Sequence, residues 1–198
     1  MPDPYLIPGT VVLQNKLGIS DFDELEQAVA DAMAYRLFDK NTPVPPTLAG
    51  WRAVHKACSA QCSSGPAISA MSIYGSPADD SSDGLFAPSG RLVVDGQRAV
   101  RNLENTVRRI QTAKISLIAD NLADVYDQLN YLHPFREGNG RSQKVFFSLV
   151  CRPRGLRLNW SEIPSNEHNL AAQQAMRGDI SLLRKHSRRL WPSLPGAA

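Results

Sequence analysis

Leu132-His133-Pro134-Phe135-Arg136-Glu137-Gly138-Asn139-Gly140-Arg141-Ser142-Gln143-Lys144 is the stretch on which the reading of this chain turns. It sets a base, a carboxylate, a glycine-rich turn and two cations at the junction of two helices. Upstream, Leu122, Val125, Leu129 and Leu132 recur at helical spacing. Pro134 biases His133 away from right-handed helical geometry, so that helix should stop and leave the imidazole at a loop mouth. Gly138 and Gly140 permit positive φ, in which successive N–H groups converge on an anion. Asn139 is placed to cap a helix from about Gly140 to Cys151, with Val145, Phe146, Leu149 and Val150 inward and Pro153 and Gly155 ending it.

A helix amino end with free N–H groups favours phosphate, and Arg141 and Lys144, three apart, share a face toward it. Glu137, among these cations, is either an ordinary ion-pair partner of Arg136 or Arg141 or a ligand for magnesium, which bridges phosphate oxygens. His133 is the group able to accept a proton near neutral pH. Together the residues suit one chemistry. A hydroxyl is deprotonated by the histidine and attacks a phosphorus held by the turn and the arginine.

His133 to Arg141 resembles the signature of Fic-domain proteins, written H-P-F-x-[DE]-G-N-G-R-x-x-R. A match of this length is far more specific than a lone glycine pair. The resemblance implies a mainly α Fic fold over residues 1–198. Its parts are a helical-bundle core, the signature loop and helix at 133–152, and a short β-hairpin flap at about 71–88. It implies transfer of AMP from ATP to a Ser, Thr or Tyr hydroxyl of a target protein, with ATP as co-substrate and Mg2+ as cofactor. His133 would then be the general base and Arg141 would neutralise the leaving pyrophosphate. Glu137 would hold the metal, while Phe135, Gly138, Asn139, Gly140, Arg141 and Lys144 would bind the nucleotide. The chain departs from the pattern at its end: the family's second arginine falls on Lys144, which keeps the charge without the planar fork that grips a terminal phosphate twice.

Residues 8–19, Pro8-Gly9-Thr10 through Asn15-Lys16-Leu17-Gly18-Ile19, resemble the opening segment of short single-domain bacterial Fic toxins. That likeness implies a toxin–antitoxin pair, gyrase or topoisomerase IV as targets, and a small inhibitory antitoxin as partner. The family's self-inhibitory sequence [ST]-x-x-x-E-[GN] does not occur; Ser20 to Glu24 has the spacing, but Leu25 follows. A Doc-like kinase is a second reading, against which the intact Gly138-Asn139-Gly140 turn argues. A Fic-fold binding module without turnover is a third.

Composition agrees with one soluble domain. The 198 residues carry a net charge of +3 and 42% hydrophobic residues, enough for a sizeable core. No apolar run reaches membrane length and nothing marks secretion, so the expected location is the cytoplasm. Arg177, Arg184, Lys185, Arg188 and Arg189 crowd the carboxyl end without interleaved aromatics, which favours a solvated helix face over direct nucleic-acid binding. Cys58, Cys62 and Cys151 form neither a zinc quartet nor a disulfide framework. His168 and His186 lack ligand-spaced partners and are expected at the surface or in caps.

Other elements follow from caps and periodicity. Ser20 or Asp21 should cap a helix to about Phe38, and Thr47 one through Trp51, Val54 and Ala57. From Lys56 to Ser72 neither helical nor strand periodicity is visible, where Fic proteins carry an aromatic W-A-G phrase; loss of that core volume predicts weak stability. Asp95 should cap a helix through Val107, and further helices are expected from about Ala113 to Leu132, through Met176, and from Asp179 to Leu190.

Overall fold

The computed structural model describes residues 6–10, 12, 14–21, 24–25, 28, 44–62, 86–135 and 138–190, with backbone alone at 59–62 and 89. Most of the expected flap, up to Leu85, and both Arg136 and Glu137 lie outside the described residues.

The described core is helical. It comprises α1 (Leu48–Cys62), α2 (Leu92–Arg108), α3 (Ile115–Leu132), α4 (Asn139–Cys151), α5 (Ser165–Met176) and α6 (Ser181–Arg189). Short 3-10 turns fall at Ser89–Arg91, Arg152–Arg154 and Trp160–Glu162. α1 begins where Thr47 caps it, its Oγ1 accepting the Gly50 N–H at 3.0 Å. It runs on through Cys62, so the first part of the stretch read as patternless is helix. Ser, Ala and Gln fill helix positions acceptably, and missing apolar periodicity there is not missing helix. Asp21 accepts the Glu24 N–H at 2.8 Å, as an amino-terminal cap does; most of the helix expected to about Phe38 lies outside the described residues.

α3 is the axis of the molecule. Ile118, Ala119, Leu122, Ala123, Val125, Tyr126, Leu129 and Leu132 are all buried on it. Two adjoining apolar strips of this width require partners on more than one side. α2, α4, α5 and α6 all pack on α3, and α1 packs chiefly on α4. Burying a Leu, Ile or Phe side chain contributes about 1.5–3 kcal/mol, so this axis supplies much of the driving force for folding. α4 is enclosed more fully than its expected inward stripe, since Phe147 is buried beside Phe146. Its buried polar groups are mostly satisfied: Gln143 Nε2 donates to the Tyr126 carbonyl at 2.6 Å and Trp160 Nε1 to Ser148 Oγ at 2.8 Å.

The carboxyl-terminal cations and histidines depart from expectation. Arg184 and Arg188 are tied to Asp124 and Asp120 of α3, so this basic face is partly a link between helices. Asp120 and Asp124 are one turn apart, as are Arg184 and Arg188, which lets the two pairs form in register. His168 and His186 are buried, not superficial. His168 Nε2 and the Tyr126 hydroxyl share a hydrogen bond of 2.8 Å, and Trp160 meets the His168 ring edge-on. Burial pushes the His168 pKa down to about 3, with Lys144 and His186 adding to the effect. Among the described residues, no helix is long and apolar enough to cross a membrane.

Candidate active site

The site lies between the carboxyl end of α3, at Leu132, and the amino end of α4, at Asn139, and its described residues there are His133, Pro134, Phe135 and Gly138. α3 stops where Pro134 forbids its continuation, and His133 closes it in the left-handed region, at φ 39° and ψ 53°. It is the single non-glycine at positive φ among the described residues. Such a conformation costs on the order of 1–2 kcal/mol for a residue with a Cβ and persists because its surroundings hold it. Those surroundings include Phe86, whose ring lies 4.1 Å from the imidazole, and Ala87, whose N–H donates to the Tyr131 carbonyl at 2.9 Å. The segment at Phe86 and Ala87 is thus fastened to the end of α3, beside His133. Burial lowers the His133 pKa, opposed in part by the Asn130 backbone. An imidazole so placed is neutral, and therefore basic, at physiological pH.

On the far side of the turn, Gly138 adopts φ 71° and ψ 19° directly before α4. Gly140 does not share this geometry. It sits in the first turn of α4 and is exposed, with nothing within 4 Å of where a Cβ would stand. One left-handed glycine therefore shapes the turn, and the second leaves open the approach to the helix end. The Ser142 N–H makes a helical bond to the Gly138 carbonyl at 3.0 Å. The amides of Asn139 and Gly140 precede it and are among those a helix start leaves over for a ligand.

Asn139 is the first residue of α4 and not its cap. It is buried, and its side chain is spent within the turn: Nδ2 donates to the Phe135 carbonyl at 2.5 Å and the Phe135 N–H donates to Oδ1 at 3.0 Å. Phe135, expected among the nucleotide-binding residues, has its ring in the core, edge-on to Trp51 at 5.4 Å and stacked on His55 at 3.8 Å. Both residues thus serve the turn from within. Arg141 folds back over it, with Nη2 3.7 Å from the position of a Gly138 Cβ. Lys144 is half-buried one turn further on. Its charge acts on His168 of α5.

The arrangement brings His133, Gly138, Asn139, Gly140 and Arg141 to one short turn. Glu137, the one carboxylate of the signature, lies outside the described residues, so no metal-ligand geometry is stated. Trp51, His55 and Phe86 were not singled out as site residues by sequence, yet all three pack on it. Trp51, Val54, His55 and Cys58 follow the i, i+3, i+4, i+7 pattern of a buried helix face. That pattern is the signal that marks His55 as facing inward.

Comparison with known proteins agrees with this geometry. Residues 73–151 match the model of the Fic/DOC family, from just after the atypical stretch to the end of α4. The chain is 28% identical over 183 residues to the probable protein adenylyltransferase Fic of Escherichia coli K12, covering 91% of this chain and 88% of that one. It is 29% identical over 184 residues to the protein of the same description from Salmonella typhimurium, with 92% and 88% covered. Among solved structures, the BepC effector of Bartonella tribocorum with bound AMPPNP superposes with a TM-score of 0.75 at 21% identity, covering 96% of this chain and 97% of that one. The N-terminal Fic domain of a Bartonella quintana effector with bound ADP gives 0.71 at 21% identity, with 94% and 93% covered.

Proposed function

From the premise that this chain is a Fic-domain protein, we propose that it transfers AMP from ATP to a Ser, Thr or Tyr hydroxyl of another protein. The observation that carries the proposal is the junction of α3 and α4. A half-buried imidazole with a lowered pKa lies where α3 ends, and a left-handed glycine, a helix start and a guanidinium lie where α4 begins. The first group accepts a proton from the attacking hydroxyl; the second set holds and neutralises phosphate. In this reading His133 is the general base. Gly138, Asn139 and Gly140 present backbone amides to the α- and β-phosphates, and Arg141 takes the charge of the leaving pyrophosphate. Glu137 has the chemistry to hold magnesium, which when bound would neutralise phosphate oxygens. Lys144 completes the nucleotide site as a point charge.

The finer reading, a toxin acting on gyrase or topoisomerase IV and restrained by a small antitoxin, rests on the likeness of residues 8–19 to short Fic toxins. Among the described residues there, Asn15 Oδ1 accepts the Leu17 and Ile19 N–H groups while its Nδ2 donates to the Ile19 carbonyl. Incubation with α-labelled ATP and bacterial lysate, beside His133→Ala, tests the function. Label on a target that disappears with His133→Ala supports it, and equal labelling by both proteins removes the histidine from the mechanism. Mass spectrometry separates the kinase alternative, since an adenylyl group and a phosphoryl group differ in mass.

A further inference from the structure

We propose that His55 is a positioning residue of the phosphate turn, acting through Gly138 and Arg141 without touching the nucleotide. The proposal rests on the reading of the turn given above. His55 lies on α1, one turn beyond Trp51 and on the same face, and is 2% exposed. Its ring is stacked on Phe135 at 3.8 Å and 25°. Trp51 meets the same phenyl ring edge-on at 82°, and its Nε1 donates to Ser142 Oγ at 3.3 Å in the first turn of α4. Two residues of α1 therefore grip the turn from below, one at Ser142 and one at Gly138.

Shape alone does not account for a histidine. Phenylalanine would supply the same stacking surface without a polar atom to bury. The nitrogen is at the working end: Nε2 lies 3.6 Å from where a Gly138 Cβ would stand, and Arg141 Nη2 and Nε lie 3.7 and 3.9 Å from the same point. Imidazole and guanidinium thus flank one face of the left-handed residue on which the turn depends. In this proposal His55 backs Gly138 on the core side with a polar atom within reach of the space that the Arg141 guanidinium also borders, and so steadies the turn at the helix start. Outer-shell partners of metal ligands typically contribute about 10–100-fold to affinity or activity, and a supporting residue of a phosphate turn is expected to act on the same scale.

Two variants of the full chain separate this role from packing. His55→Phe keeps the stack and removes the nitrogen, while His55→Gln loses the stack and returns a polar group near the Nε2 position. Melting temperature and the affinity for ATP, by calorimetry, are measured for both. A positioning role orders ATP affinity as wild type, then Gln, then Phe, with Phe weakened about tenfold although it melts at or above the Gln variant. Affinity that follows the order of melting temperatures, or wild-type affinity in His55→Phe, overturns the proposal. Arg141→Ala provides the control for the underlying reading. If it binds ATP as the wild type does, the turn is not the phosphate site and both ideas fall; if it loses ATP while His55→Phe keeps it, only the role of His55 falls.

Discussion

Asn139 and Phe135 hold each other twice, the side-chain amide of the first pairing with the backbone N–H and carbonyl of the second across the signature turn. Both bonds are buried, so each partner lost leaves a polar group unsatisfied. Asn139→Ala orphans the Phe135 N–H and carbonyl together and should cost about 2–4 kcal/mol, at roughly 1–3 for each group before relaxation. Asn139→Asp keeps the acceptor, loses the donor and adds negative charge at a site proposed to hold phosphate. It should unfold closer to wild type than Asn139→Ala while binding ATP no better, which denaturant melts and calorimetry will show. Equal ATP affinity in Asn139→Asp and wild type would mean that this turn does not face the nucleotide.

Gly138 and Gly140 look alike in sequence and differ in structure. Gly138→Ala must place a Cβ at φ 71°, at a cost of about 1–2 kcal/mol, although the space itself permits ordinary contact with His55 and Arg141. Gly140→Ala enters helix with nothing nearby and should be neutral or stabilising by up to about 1 kcal/mol. Thermal melts of the two variants should therefore move in opposite directions. A fall of equal size in both would contradict the conformations described.

Burial lowers the pKa of His133, and Phe86 provides much of the cover on one ring face. The base form is therefore available below the ordinary histidine range, and the acid limb of the pH–rate profile should fall below about 6.5. Phe86→Ala admits water to the ring, which raises the pKa and shifts that limb to higher pH. The profile of the variant should converge on wild type at high pH if proton acceptance is the main loss. An unshifted limb would place the controlling titration elsewhere.

The parts legible in sequence were those set by local rules. Apolar spacing located α3 from Ile115 to Leu132 within two residues of its start, and caps placed the beginnings at Asp21 and Thr47. The signature located the turn itself. What sequence could not supply were partners brought by packing: Tyr126 for His168, Asp120 and Asp124 for the arginines of α6, and Phe135 for His55. Each joins residues 42 or more apart by a contact that no spacing encodes. The Tyr126 hydroxyl on α3 makes His168 of α5 acceptable inside, against its usual preference, whereas the α3 carboxylates hold α6 arginines that stay open to solvent.

His168 should make the protein sensitive to acid. Its pKa falls from about 6.5 unfolded to about 3 folded, so below 6.5 the unfolded chain binds a proton that the folded one excludes. Stability from this group is complete above about 6.5 and is lost progressively as pH falls toward 3. At pH 5 the loss is about 2 kcal/mol, from roughly 1.5 units at 1.36 kcal/mol each. His186, also lowered by burial, adds in the same direction. His168→Gln retains a group able to bond the Tyr126 hydroxyl and should flatten the dependence between pH 6.5 and 5, though less stable at neutral pH. An equally steep loss in the variant would assign the acid sensitivity to other groups.

Lys144 stands where the family signature has arginine, and its charge is close enough to His168 to disfavour protonation there. An ammonium meets a terminal phosphate as a point charge, whereas a guanidinium can donate two parallel bonds. Lys144→Arg should therefore raise affinity for ATP more than for ADP, by about tenfold if one further charge-assisted bond forms, since 1.4 kcal/mol is a factor of ten. Calorimetric titration with both nucleotides gives the ratio directly. If the two affinities rise together or not at all, position 144 does not contact the terminal phosphate, and its charge serves the α4–α5 interface instead. The melting curve distinguishes that outcome, because an interface role predicts a change in stability at neutral pH with no change in nucleotide preference.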